Sequence, residues 1–502
     1  MPTTSPADRA LSRRILAAGL GLGLLCELVF DGRAFGINVA FATAGLLAAA
    51  WLLRRSDRAP DPLDAWLPVS ALILALLVAV RGDPFLALLD SLVALACCGA
   101  SAAAFSGLAV TRRTASVIAL MGAWVMGTAV ADPFRAVIEG GPAPSSQPRR
   151  LPDGVAAVVR GLVVAIPLAV IFAVLFASAD PVFGRALGTV LGFRIDLGEL
   201  PGRVLFVVAT GWLAAGLVSV SARGIPAFEG ASLGAASRTA LTPDTRVLGL
   251  PEALVILVAV DLVIAIFVGL QFAYLFGGRA ANGMAYADYA RRGFFELVAA
   301  ACLSSVIVIV LESTVVRRSL AYLVGLIALV ALTGVVLASA ALRLRLYQDA
   351  YGWTEIRLYV LAAIVTIGLG LAAMAALVLA DRSRWIPHTL AVLGICSLVA
   401  LNLVAPAAFV ASQNVARVID PSLVPPDGHA GLDTEYLAVL PDDAIPVLVE
   451  ALPRLPTEVA DELTPILRAR HIDLRADPSY ASGFAWNLGR ERARSALDAL
   501  FP

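Results

Sequence analysis

Residues Ser319 to Leu342 read SLAYLVGLIALVALTGVVLASAAL, an uncharged run bounded by Arg318 and Arg343. A helix crossing a hydrocarbon core of ~30 Å needs ~20 apolar residues, so this stretch reads as a membrane span. Leu358 to Ala380, between Arg357 and Asp381, is a second run of the same kind. Similar stretches lie at roughly 15–30, 34–53, 66–80, 85–110, 114–131, 154–178, 204–221, 251–275, 293–311 and 387–411. With the first two, at 319–342 and 358–380, they make twelve. The expected fold class is all-α: a polytopic transmembrane helix bundle of about 12 spans with a small C-terminal helical soluble module. Three divisions follow: 1–153 with about five N-terminal spans, 154–416 as a core membrane domain of about seven spans carrying the polar loops, and 417–502 as a soluble helical tail.

Composition agrees. The chain is 59% hydrophobic and 15% charged, with a mean hydropathy of +0.85, far from a water-soluble globule. Acids and bases balance at 38 each, so no long-range field gathers nucleic acid, and the expected partner is the lipid bilayer. Every base is an arginine. Cys26, Cys97, Cys98, Cys302 and Cys396 lie in apolar stretches without CxxC spacing, which argues against a disulfide framework or a zinc site; no cofactor is expected. Arg13 and Arg14 precede the first apolar run, but Glu27 interrupts it and further spans follow, so it reads as an uncleaved helix.

Twelve spans put both termini on one side. The N-terminus and even-numbered connections carry seventeen arginines against twelve in the odd-numbered ones, a lean toward both termini cytoplasmic. Asp83-Pro84, Asp132-Pro133 and Asp180-Pro181 share the grammar of a helix start: the carboxylate accepts orphan N–H groups, and proline has none to lose. Residues 182–199 are too polar to span and suit the headgroup level, whereas 135–153 and 222–250 read as loops. Past Arg417, charges recur every few residues and Leu437, Leu440, Ile445, Leu448, Leu463 and Leu467 fall at helical spacing. Pro441-Asp442-Asp443-Ala444 and Pro456-Thr457 open helices there.

An ionisable group deep in lipid costs ~2.5 to 3.5 kcal/mol or more, so such positions are candidate sites. Asp261, about ten residues into the eighth span, is the clearest. Glu27 and Asp90 lie near span ends and Arg160 can snorkel, so these three are discounted. Two interfacial clusters stand out. In Tyr286–Leu297, Asp288, Arg292 and Glu296 fall at i, i+4 and i+8, where one guanidinium can bridge two carboxylates. In Arg343–Tyr359, Arg345 and Asp349 form an i, i+4 pair and Tyr347 stacks on Tyr351. There Gly352 ends one helix and Thr354 caps the next, followed by Glu355 and Arg357. Both clusters and the Asp180 segment fall on the tail's side of the membrane in the twelve-span topology.

The stretches YADYARRGFFEL, LRLYQDAYGWTEIRLY, ADPVFGRAL and LDTEYLAVLPDDAIPVL resemble bacterial integral membrane proteins classed under domains of unknown function 4153 and 4173, over roughly residues 155 to 500. Trp353 stands where such proteins are expected to carry leucine. The resemblance implies a bacterial cytoplasmic-membrane protein and supplies no activity or catalytic residue. Three functions are weighed. The leading one is a non-enzymatic scaffold or sensor whose polar loops and tail bind a protein partner. The second is an ion- or proton-coupled transporter or channel using Asp261. The third is a lipid-modifying enzyme at the interface, with Glu296 or Glu355 as base and Arg292 or Arg357 holding a phosphate. Against the third, the sequence carries no GxSxG, HExxH or P-loop motif, and His388, His429 and His471 are scattered. Trp486, Arg490, Arg492 and Arg494 in the tail suit contact with anionic headgroups.

Overall fold

The computed structural model describes residues 5–55, 57–111, 113–140, 200–225, 249–271, 294–315, 319–426 and 433–502. The expected sixth span, the Asp180-Pro181 start, Asp288 and Arg292 lie outside them, as does the side chain of Glu296. The described residues form sixteen α-helices and no β-strand. Before the tail come α1 (Pro6–Phe30), α2 (Ile37–Leu52), α3 (Trp66–Leu77), α4 (Pro84–Phe105), α5 (Ala115–Gly140), α6 (Leu200–Arg223), α7 (Leu250–Gln271), α8 (Phe294–Thr314), α9 (Leu320–Tyr351), α10 (Glu355–Leu379) and α11 (Ile386–Val404). The tail adds α12 (Pro406–Ile419), α13 (Thr434–Val439), α14 (Ile445–Ala451), α15 (Thr457–Ala476) and α16 (Leu488–Leu500).

Among the described residues eight helices, α4 to α11, are long and apolar enough to cross a membrane, and α2 and α3 are shorter apolar helices. Not all of the twelve expected spans are recovered among them, and the one at 154–178 lies outside the described residues. Arg9, Arg13 and Arg14 occupy the first turns of α1, leaving too short an apolar run behind them. The last expected span, 387–411, stops at Val404, because Ala405 turns left-handed (φ +56°) ahead of Pro406. The next helix, α12, packs with the tail: Ala407, Val410, Ala411 and Val415 share one core with Leu437, Leu448, Leu463 and Leu497.

Helix starts follow the caps written in the sequence. Ser5 and Asp8 form a reciprocal capping box on α1, and Asp83 accepts from the Phe85 and Leu86 N–H groups at 2.9 and 3.1 Å to open α4. Asp132-Pro133 departs from the expectation, lying inside α5. A proline within a helix deprives the carbonyl four residues back of its donor, here that of Ala129. Gly216 of α6 packs against that carbonyl; a Cβ at 216 would sit 1.9 Å from it. The Ser219 hydroxyl donates to Asp132 at 2.6 Å.

The tail defines one end of the bundle, and contacts along each helix give its direction. α1 ends beside the tail, where the Ala34 N–H donates to the Ser479 carbonyl at 3.3 Å. Ser12, near its start, is at the far end with Arg223 (2.6 Å) and Glu139 (2.9 Å). The start of α1 and the contact with the tail thus lie at opposite ends of that helix. The C-terminal Glu139 of α5 is in that far cluster, while Thr114, just before the first residue of α5, lines a cavity of about 360 Å³ with Glu312, Asp381, Ser383 and Arg384, also at the far end. α5 packs along the half of α6 nearer that end, where the Trp212 indole donates to the Val130 carbonyl at 3.0 Å.

Lipid tails are as apolar as leucine, so these helices gain little by burying apolar surface and instead associate through close packing. α1 and α6 meet through Gly19, Gly23, Gly211 and Ala215: a Cβ at Gly23 would lie 2.4 Å from the Val207 carbonyl and one at Gly19 2.6 Å from that of Gly211. At the tail-side end, Arg203 bridges Glu27 and Asp31, the latter at 2.8 Å, which explains how Glu27 persists near the end of α1. Overpacking a tight contact costs about 1–3 kcal/mol. Gly23→Leu is therefore expected to destabilise the detergent-solubilised protein by several degrees in a thermal unfolding assay. Gly21→Leu, on a face with open space, should leave it unchanged.

Candidate functional site

Four segments far apart in sequence converge beneath the tail: the α3–α4 turn, the start of α10, the Asp442-Asp443 doublet before α14 and the start of α16. The turn after α3 exposes main-chain groups that no helix satisfies, and the tail satisfies them. Asn487 Nδ2 donates to the carbonyls of Val78 (2.9 Å) and Arg81 (2.6 Å). The Leu488 and Gly489 N–H groups donate to the Ala79 and Val80 carbonyls at 2.8 and 3.1 Å. Asp443 Oδ2 accepts from the Gly82 N–H at 2.6 Å, and its Oδ1 faces Arg81 Nη1 at 3.6 Å. Gly489 is required by this approach, since a Cβ there would lie 2.5 Å from Asp443 Oδ1.

Around this contact is a buried acidic group. Asp83, besides capping α4, accepts from the Tyr359 hydroxyl. Glu355 stands one turn before Tyr359 on α10, with its Oε1 buried and without a partner among the described residues. Its main-chain N–H donates to the Tyr436 hydroxyl of α13 at 2.8 Å, so a tail phenol meets the start of α10 while the Thr354 hydroxyl, expected to cap it, makes no such bond. Burial pushes the Tyr436 phenol up to about 12. Asp442 accepts from Arg470 at 2.8 Å and faces Arg490 at 3.7 Å. Burial raises the carboxyls of both Asp442 and Asp443, with arginines opposing the effect in each case.

The hairpin between α9 and α10 is held in the same manner. Gly352 is left-handed (φ +80°), as its place after α9 predicts. Asn414 of α12 accepts from the Trp353 N–H and donates to its carbonyl, both at 2.8 Å, and the Trp353 ring meets Phe409 edge-on at 5.0 Å. Arg417 donates to the carbonyls of Gln348, Asp349 and Ala350, placing a cation at the negative end of α9. Tyr347 and Tyr351 pack at 5.0 Å with Arg357 over the Tyr347 ring at 4.1 Å. Arg345 and Asp349 are both exposed, and among the ion pairs of the described residues none joins them.

The sequence reading passed over Asp90, which is fully buried and receives both of its bonds from Asn402 Nδ2 of α11, at 3.2 and 3.0 Å. The Asn402 carbonyl in turn accepts from Arg81, tying this pair to the junction. Asp261 sits elsewhere, half-buried on α7, with Oδ1 buried and unpartnered among the described residues. Neither the far-end cavity nor one of about 550 Å³ between α12 and α14 is lined by it. Among the described residues no set of three His, Cys, Asp or Glu side chains is placed to hold a metal ion. The junction is a hydrogen-bonded contact between tail and bundle that buries the carboxyl groups of Asp83, Asp442 and Asp443.

A family model described as "Domain of unknown function (DUF4153)" matches residues 68–451, about three quarters of the chain. The match starts in α3, well before the residue 155 expected from the motifs, and ends at the last residue of α14, so it takes in Asp83, Tyr359 and Asp443 but not Asn487. No curated protein and no solved structure matches the chain.

Leaving the buried Gly82 N–H without an acceptor costs about 1–3 kcal/mol, whereas an amide oxygen still accepts from it. Asp443→Ala is expected to speed hydrogen exchange at Leu488 and Gly489 by tenfold or more, and Asp443→Asn by much less. Because burial raises the Asp442 and Asp443 carboxyls, their contribution to docking is complete below the ordinary value of 3.8 and declines as pH rises through their folded values. Exchange at these amides, corrected for intrinsic rate, should therefore show weaker protection with rising pH in the wild type. That slope should be shallower in Asp443→Asn.

Proposed function

We propose the following for this chain, which belongs to the DUF4153 family of membrane proteins: it is a non-enzymatic scaffold or sensor of a bacterial cytoplasmic membrane, presenting its tail and polar loops to a protein partner in the cytoplasm. The observation that carries the reading is the docking itself. Main-chain and side-chain groups of the tail complete the ends of α3, α9 and α10 together, so a displacement of those helices alters the surface the tail offers, and a partner on the tail biases the helices in return. The experiment is a distance measurement between spin labels on α15 and on the α9–α10 hairpin in nanodiscs, with photo-crosslinkers on the exposed face of α15 in cells. Undocking by Asn487→Ala should broaden the distance distribution and change the cross-linked set. A reproducible partner set that does not respond to undocking, or no partner at all, overturns the reading. A fusion reporter at the C-terminus tests the cytoplasmic placement.

A second reading, ion- or proton-coupled transport, is favoured by one observation: Asp261 Oδ1, buried within a span and unpartnered among the described residues. Under it, Asp261→Asn is expected to lower ion or proton flux into reconstituted vesicles at least tenfold. Equal flux in wild type and variant excludes a coupling role.

A further inference from the structure

α2 carries an aromatic and arginine pair at each end. Its sixteen residues extend about 24 Å at 1.5 Å per residue. At the far end Trp51 is 44% exposed with the Arg54 guanidinium 3.7 Å over its ring. At the tail-side end Phe35 and Phe41 are each 49% exposed. Phe484 of the tail meets Phe41 edge-on at 5.9 Å, and Arg33 lies 5.5 Å over the Phe484 ring. Trp486, two residues on, is 46% exposed. Aromatic rings concentrate where hydrocarbon gives way to headgroups, and these two groups stand at opposite ends of α2, apart by at most about the 24 Å of its length.

The height of Trp486 is set by main-chain bonds to α2. Its carbonyl accepts from the N–H of Ile37, the first residue of α2, at 3.0 Å. Gly36 makes room for this, since a Cβ there would lie 2.4 Å from that carbonyl. Residues 483–485 neighbour α1, whose Leu20, Leu24 and Leu28 are all more than half exposed. An indole fixed at this level and facing outward meets the same surroundings as those leucines.

We propose that residues 479–487 of the tail are a lipid-contacting element, with Trp486 and Phe484 at the boundary of acyl chain and headgroup and Arg33 at the level of the lipid phosphodiester. The C-terminal module is then part of the membrane interface as well as a platform above it. This goes beyond the scaffold reading and does not depend on it.

The test uses the full-length wild-type protein in phosphatidylcholine vesicles containing a phosphatidylcholine with a photoactivatable diazirine on the upper acyl chain. After irradiation and trypsin digestion, the peptide of residues 476–490 should carry lipid adducts at a yield within about threefold of that on a peptide from an outward face of α1 or α2. Trp486→Ser should lower its yield at least threefold while the α1 and α2 peptides stay constant, a control that reports folding. Labelling of α1 and α2 with none on 476–490 in the wild type overturns the proposal. So does labelling of 476–490 that does not respond to the substitution and falls on residues other than 484 and 486.

Discussion

Each membrane helix ends with main-chain N–H and C=O groups that the helix cannot pair, and near a bilayer each unpaired group costs free energy. In this protein the C-terminal module supplies many of the missing partners on its own side. Asn487, Leu488 and Gly489 serve the turn after α3, Asp443 the turn before α4, Arg417 the end of α9, Tyr436 the start of α10 and the Trp486 carbonyl the start of α2. The module functions as one collective cap. Its apolar core, which also includes α12, keeps those groups at fixed spacing, so the caps engage together.

Within the bundle, polar contacts take over where apolar burial offers little. Asp90 with Asn402, Glu312 with Tyr322 and Ser383, and Glu139 with Arg223 and Ser12 each join helices distant in sequence. Their placement differs. The Glu139 and Glu312 groups lie at the far end, whereas Asp90 is connected through Asn402 and Arg81 to the junction with the tail. The carboxylates that face the tail are thus also linked to the buried interior of α4 and α11.

Much of the fold was legible in the sequence because its signals are local. Uncharged runs gave the long helices, Asp83-Pro84 gave the start of α4, Gly352 gave the hairpin, and Pro441 and Pro456 marked the helices of the tail. Asp132-Pro133 has the same local grammar and a different outcome, decided by α6, whose Gly216 and Ser219 meet the carbonyl and carboxylate involved. The junction was illegible for a related reason: Asp83, Tyr359, Asp443 and Asn487 are each ordinary in their own neighbourhoods, and no periodicity pairs residues hundreds of positions apart. Local spacing also suggested an Arg345 to Asp349 pair, but Arg417, from another helix, binds the main chain there instead.

The bonds from Asn487 reach back 409 and 406 positions, to Val78 and Arg81. During synthesis the early helices enter the bilayer long before the segment that completes them leaves the ribosome. Until then the turn after α3 is a bare edge, open to water or to a chaperone, and a chain cut short anywhere before residue 487 keeps it so. Closure of that early turn therefore waits on a residue made some four hundred positions later.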